Sequence, residues 1–343
     1  MKKYLLPEKG NFYKANLHTH TKVSDGSVSA LKMKEVYQEH GYSIMAFSDH
    51  EMFVTHNELT DENFLALNAV ELGVTEEPWP HNYPKHVHIG AIALDENIDT
   101  QPLYHRTKYI RSHYGFSRED LKIDETEHDY ERIYSIEGVN DMVKRLKEKN
   151  YFVVYNHPAW SHASYPQYIN YEGFDAIEMI NHISNRKTGI CEYNEQILED
   201  ILRRGKQVYC IAADDSHGIR ESWCCGAWNM IKAEKLDYST IAKALKNGDF
   251  YASEGPEIKA LWYEDGKFHV ECSPADRIVF TAYPARGKAF WAIDEPDGGS
   301  TGITQAEYSP LEPCEYVRIT IIDKNGKKAY SNAYFMNELN KGV

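Results

Sequence analysis

The run Leu17-His18-Thr19-His20-Thr21-Lys22-Val23-Ser24-Asp25-Gly26, followed by Phe47-Ser48-Asp49-His50, carries a set of side chains that can hold a metal ion. In an extended segment alternate side chains share a face, so His18 and His20 can grip the same ion. Asp25 arrives on the turn that follows. The same residue types recur at the ends of apolar runs further along. Glu71 follows Phe64 to Val70, His157 follows Tyr151 to Asn156, Asp215 and His217 follow Val208 to Ala213, and His88 opens Ile89 to Leu94. Imidazole and carboxylate together suit Zn, Mn or Fe. There are more ligands here than one tetrahedral ion uses, so two or three divalent ions are expected.

Elements that bring these residues together can be read from hydrophobic periodicity. Val28 to His40 reads as a helix ended by Gly41, with a strand over Tyr42 to Phe47. The alternation returns as a helix from Val139 to Lys149 before a strand at Tyr151 to Tyr155. It returns again as a helix from Cys191 to Arg204 before a strand at Gln207 to Ala213. Repeated strand–helix units predict a parallel sheet. If that sheet closes into a barrel, the C-terminal ends of its strands meet at one mouth, which is where the ligands lie. His88 stands apart, because it begins its apolar run. His86 shares its face and competes as a ligand; His88 is preferred.

Taken in order, His18-Thr19-His20, Ser24-Asp25-Gly26, Ser48-Asp49-His50, Asn156-His157-Pro158 and Asp215-Ser216-His217 resemble the motifs of the polymerase and histidinol phosphatase (PHP) domain over residues 12 to 255. Phe250 to Ile258 resembles the junction to a C-terminal β domain in two-domain metallohydrolases related to carbaryl hydrolase. The resemblance implies a distorted (β/α)7 TIM-like barrel over 1–255 and a small antiparallel β-sandwich over 256–343. It also implies a distribution of ligands. One ion would take His18, His20, Glu71 and Asp215, a second would share Glu71 and add His88 and His157, and a third would take Asp25, His50 and His217. Such ions make water acidic enough to supply hydroxide near neutral pH. His217, or the ion it helps bind, is the candidate for protonating the leaving group. Asp49 and Asp214 are expected to hydrogen-bond ligand histidines, and Asp49 is counted with His217 among the catalytic residues on that ground.

Substrate contacts are less sharply marked. Arg186 and Lys187 follow an expected strand end and would suit a phosphate, although solvated loop charges read the same way. Trp160 and His162, just past His157, line the pocket or pack its wall. Asp95 to Asp129, including Tyr104-His105-Arg106 and Arg111-Ser112-His113-Tyr114, reads as a long excursion over the mouth. It is either a lid or a surface insertion.

Beyond Pro256 short alternating runs are separated by Asp265-Gly266 and Asn325-Gly326, the turn residues of β-hairpins. The aromatic residues Trp262, Phe280, Tyr283, Phe290 and Trp291 are expected in the core of that domain.

At 343 residues with 42% hydrophobic content the chain can bury a large core and a smaller one. A net charge of −14 argues against a nucleic-acid scaffold as partner. No stretch approaches the roughly 18 uninterrupted apolar residues of a membrane span, and the apolar run after Met1-Lys2-Lys3 is cut short by Pro7 and Glu8, so a cytoplasmic location is expected. Six cysteines without regular spacing read as reduced, mostly buried thiols, with Cys224 and Cys225 pointing apart on a strand. The expected activity is metal-dependent hydrolysis of a small phosphoester, a metabolite or nucleotide. The alternatives are hydrolysis of a carboxylic or carbamate ester with the same metals, or a binding or proofreading module.

Overall fold

The computed structural model describes residues 2–76, 85–110 and 114–340. Its main feature is a fourteen-stranded sheet. Seven strands of it follow one another in the hydrogen-bonded order Asn11–Asn16, Ile44–Phe47, Leu65–Thr75, His86–Ala93, Tyr151–Tyr155, Ala176–Asn181 and Tyr209–Ala213, and all but Ala176–Asn181 bear or lead into an expected ligand. A bridge between Thr19 and Ser216, with His20 N donating to Ser216 O at 2.9 Å, joins the segments that leave the first and last of these strands.

Strand alternation sorts side chains into two layers. Phe152 and Val154 join an inner cluster with Ala15, Leu67, Ile92, Ala176 and Ile211. Tyr151, Val153 and Tyr155 point the other way, towards the helix Ile136–Glu148 and its buried stripe of Val139, Met142, Val143 and Leu146. That helix starts where Ser135 caps it, its side chain accepting from Gly138 N at 3.0 Å.

The expected parallel sheet is corrected at two places: Trp228–Ala233 pairs antiparallel with both Asn11–Asn16 and Phe250–Ser253, and a second departure bears on the ligands. His86–Ala93 runs antiparallel to both Leu65–Thr75 and Tyr151–Tyr155. This explains the position of His88. Gly73 pairs with His88, so the start of one strand lies beside the end of its neighbour, and a ligand that opens its apolar run reaches the same mouth.

The other differences are local. The first helix spans Ala30–Glu39 and its strand begins at Ile44. The third begins at Glu195 rather than Cys191. Periodicity cannot see why: Tyr193 bridges to Ile180, and Glu192 accepts hydrogen bonds from Ala159 N and Trp160 N. All six cysteines are free thiols, four of them buried. Cys224 and Cys225 lie in a turn, not on a strand, with Cys225 in the left-handed region at φ 60°.

The large sheet continues past residue 255, because Phe250–Ser253 pairs with Lys328–Tyr330. A second, four-stranded sheet contains Lys3–Tyr4, Ile258–Glu264, Lys267–Ala275 and Ile303–Tyr308. A cluster including Leu261, Phe268 and Val270 from this sheet and Ile278, Phe280 and Ile319 from the large one fills the space between them. Phe280 is buried as expected, Trp262, Tyr283 and Phe290 only partly, and Trp291 is exposed. Both expected hairpin turns are present, at Asp265-Gly266 and Asn325-Gly326, with positive φ at both glycines. Among the described residues, no helix is long and apolar enough to cross a membrane.

A buried ionic contact ties the C-terminal strands to the helix Glu195–Leu202. Arg318 Nε donates to Glu199 Oε1 and Tyr316 OH to Glu199 Oε2, both side chains of the ion pair being under 10% exposed. Removing Arg318 leaves the buried Glu199 with only Tyr316 OH and the partly exposed Arg203, 3.6 Å away, as partners. Arg318→Met is therefore expected to lower stability in denaturant unfolding, by no more than about 3–5 kcal/mol. Adding Glu199→Leu is expected to recover at least half of the loss.

Candidate metal centre

Glu71 is the best-surrounded charge in the chain. It lies within the buried part of Leu65–Thr75 and is 0% exposed. Its Oε2 lies 3.0 Å from His50 Nδ1, 3.3 Å from His18 Nε2 and 3.4 Å from His20 Nε2. Its Oε1 lies 3.1 Å from His157 Nε2 and 3.3 Å from His88 Nδ1, and accepts from Asn156 Nδ2 at 2.8 Å. The two oxygens thus face different groups of imidazoles. Burial alone would raise the pKa of Glu71, yet His18, His88 and His50 with the His157 hydrogen bond hold it well below the usual carboxylate range.

Asp215 forms the other wall. Its Oδ1 is 2.9 Å from His20 Nε2 and 3.3 Å from His18 Nε2. Its backbone φ is 52°, and that of His157 is 24°; residues other than glycine in this region mark strain that collects at functional sites. Towards solvent, Asp25 Oδ1 lies 3.4 Å from His217 Nε2 and its Oδ2 lies 3.9 Å from His50 Nε2. Gly26 lets this turn approach, since a Cβ there would meet the His20 carbonyl at 2.5 Å.

All nine expected ligands therefore converge. Among the described residues, ligand atoms lie within 4.8 Å of one another in four groups: His20, Asp25, His50 and His217; His18, His20 and Asp215; His18, Glu71 and His157; and His50, Glu71 and His88. The groups overlap more than the three expected sets, with His20 reaching the outer group and His50 reaching Glu71. His86 is 5.9 Å from His88 between ring centres and faces Thr75 Oγ1, so it stands outside the cluster.

The cluster fits a cation. His20 Nδ1, Glu71 Oε2, His88 Nδ1 and Asp215 Oδ1 are buried without a hydrogen-bond partner, and leaving such atoms unpaired costs about 1–3 kcal/mol each. Burial opposes a charge on His157 and His217. Even so, the Glu71 hydrogen bond lifts His157 to about 9, and the Asp25 hydrogen bond lifts His217 to about 9. Burial, with His217 and His50 beside it, pushes His20 down to about 3. Protons here stand in for the positive charge that the carboxylates demand.

Side chains behind the ligands fix their tautomers. His18 Nδ1 faces Glu178 Oε1 at 2.7 Å and so carries the proton, leaving Nε2 for the cluster. Glu178 Oε2 also accepts from His157 N at 2.8 Å and Asn181 Nδ2 at 3.0 Å. His217 Nδ1 donates to the Asp215 carbonyl at 2.8 Å, which frees its Nε2. Glu178 was not picked out from sequence. Its signal was a Glu inside the apolar run Ala176 to Ile180.

The roles expected for Asp49 and Asp214 are corrected. Asp49 accepts from Thr21 N, Thr21 Oγ1, Ser24 N and Ser24 Oγ, at 2.7–3.1 Å. Asp214 accepts from Tyr37 OH, Cys225 N, Gly226 N and Ala227 N. Each buried carboxylate is saturated by a loop and none of these bonds is to a histidine. Asp49 therefore holds the turn that presents Asp25.

Around the mouth, Trp160 packs on His157, His88 and His86, with ring centres 4.9, 5.5 and 6.0 Å away. Arg186 and Lys187 are exposed on the short turn Ser184–Thr188. Lys187 Nζ lies 4.9 Å over Trp223, whose other cation is Arg220 at 4.6 Å. The excursion from Asp95 does sit on the mouth loops, since Tyr104 and Leu121 pack with Val23 and Met52. Arg111, Ser112 and His113 lie outside the described residues.

No family model matches the chain, and no curated protein matches it by sequence. Among solved structures, it is similar to a two-domain protein from Bacteroides vulgatus ATCC 8482 containing a predicted PHP-like metal-dependent phosphoesterase. The match has 13% identity over 97% of this chain and 98% of that one, with a TM-score of 0.46. It is also similar to a candidate metal-dependent phosphoesterase from Bifidobacterium adolescentis, at 16% identity over 62% of this chain and 89% of that one, TM-score 0.38. A third is the lesion-specific endonuclease Q of Pyrococcus furiosus, at 14% identity over 68% of this chain and 56% of that one, TM-score 0.39. A relation to carbaryl hydrolase is not shown by these structures. The likeness is loose in every case, and the geometry of the site stands on its own.

Because Glu178 orients His18 and the backbone of His157 together, Glu178→Ala is expected to weaken Zn or Mn binding by about 10–100-fold. Competition against a chromophoric chelator measures this. Unchanged affinity would mean that the ligands are held without it.

Proposed function

We propose that this protein is a metal-dependent hydrolase, and specifically a phosphoesterase acting on a small phosphorylated metabolite or nucleotide. The observation that carries the reading is Glu71, whose two oxygens face two groups of histidines inside a buried cluster. In this reading His18, His20, Glu71 and Asp215 would hold one ion, Glu71, His88 and His157 a second, and Asp25, His50 and His217 a third, drawn from Mn, Fe or Zn. The fold reading that accompanies it is a distorted (β/α)7 barrel of the PHP type over 1–255, with a β-sandwich over 256–343 that residues 3–4 join.

Divalent ions held here would supply Lewis acidity, making water a nucleophile near neutral pH and offsetting charge on the phosphoryl oxygens. The chain's own residues do the rest. Glu71 and Asp215 would offset the charge of bound cations, and Asn156 keeps Glu71 from rotating. Glu178 keeps His18 in the tautomer that turns Nε2 inward. His217, partly exposed and next to Asp25, is placed at the solvent side, where either its own Nε2–H or the ion it would help hold meets the leaving alkoxide. Trp160 gives the pocket an apolar wall, and Arg186 and Lys187 offer positive charge at its rim. The net charge of −14 favours a small substrate over duplex nucleic acid.

His18→Ala, Glu71→Ala and Asp215→Ala are each expected to abolish turnover with an unchanged circular dichroism spectrum. The assay is phosphate release from a panel of mono- and diesters with added Mn. Phenol release from carboxylic or carbamate esters without any phosphate release would replace the phosphoesterase reading by the ester alternative.

A further inference from the structure

The long segment between His86–Ala93 and Tyr151–Tyr155 brings one cation, Arg132, against the rim of the cluster. Its side chain is only 3% exposed. Nη1 donates to Glu51 Oε1 and to the Gly73 carbonyl, both at 2.7 Å, and the guanidinium lies 4.1 Å over the ring of Tyr109. These contacts tie it to the metal ligands. Glu51 directly follows His50, and Gly73 pairs with His88. A Cβ on Gly73 would sit 3.4 Å from His88 Nε2 and 3.5 Å from Glu51 Oε1, so Arg132 approaches the cluster on its His88 side.

Anchoring the segment accounts for only part of this arrangement. Both bonds to the protein leave from Nη1, while Nε is buried with no hydrogen-bond partner, as is Oε2 of Glu51. Glu51 and Tyr109 both hold left-handed backbone, at φ 62° and 69°, which side chains of their kind adopt at a cost. Two strained residues thus hold a guanidinium whose Nε–Nη2 edge has no hydrogen-bond partner among the described residues. That edge presents two parallel N–H groups, the geometry that matches two oxygens of a phosphoryl group. Elsewhere the cluster presents the carboxylates Asp25, Glu71, Glu178 and Asp215, so an anion entering on this side meets Arg132 as the fixed positive group of the protein.

We propose that the Nε–Nη2 edge of Arg132 binds the phosphoryl oxygens of the substrate and thereby makes the site selective for phosphoesters over uncharged esters. This rests on the phosphoesterase reading above. Glu51 and Tyr109 act as positioning residues, fixing the guanidinium by its Nη1 corner and its face.

Lysine in place of Arg132 separates the two possible roles. An ammonium can still reach Glu51 and the Gly73 carbonyl, but it cannot offer a two-donor edge. With the full chain loaded with Mn, Arg132→Lys is expected to keep the melting temperature and metal content of the wild type. Its affinity for inorganic phosphate is expected to fall by about tenfold or more, and KM for an aryl phosphate to rise similarly, with kcat changing less. Arg132→Gln should weaken phosphate binding at least as much. Wild-type phosphate affinity and KM in Arg132→Lys would overturn the proposal and leave Arg132 as an anchor. If the wild type binds phosphate but cleaves no phosphoester, the activity reading fails, and the affinity comparison still decides the role of Arg132. If the metal-loaded wild type does not bind phosphate at all, both fail.

Discussion

A carboxylate with no exposed surface, Glu71, is the constraint on which this molecule is organised. A buried charge of that kind is costly unless opposite charge is brought to it. Five histidines and the amide of Asn156 surround it, drawn from strands and loops that are far apart in sequence. Each must arrive from a fixed direction. The sheet order, the antiparallel insertion of His86–Ala93 and the Thr19–Ser216 bridge follow as the means of getting them there.

The support behind the ligands is built with equal economy. Four buried carboxylates have separate tasks: Glu178 orients His18 and the His157 backbone, Asp49 holds the turn bearing Asp25, Asp214 caps the turn at 225–227, and Glu192 holds the backbone of Ala159 and Trp160. Each accepts several hydrogen bonds, which is the condition for keeping a carboxylate in an interior. Loops at such a mouth are otherwise the most mobile parts of a fold. Saturated carboxylates make these loops part of the rigid frame.

The ligand set was legible in sequence because metal chemistry restricts residue types sharply and strand ends restrict their placement. His18, His20, Glu71, His157 and Asp215 each stand where an apolar run stops. What was not legible depended on partners distant in the chain. No local pattern distinguishes the antiparallel course of His86–Ala93, so His88 stood apart until its pairing with Gly73 was seen. Asp49 adjoins His50 in sequence, but adjacent side chains in extended backbone diverge, and its carboxylate meets Thr21 and Ser24 instead of a histidine. Arg132 lay in a stretch without periodicity, and Glu178 was hidden within an apolar run.

The metal content of the purified, metal-replete protein, measured by elemental mass spectrometry, tests the central claim most directly. Two or three divalent ions per chain, falling when Glu71 is replaced by Ala, is the predicted result. A chain that takes up no ion when Mn, Fe and Zn are supplied in excess would contradict the account, since the unpaired atoms around Glu71 would then have to be reconciled by protons alone.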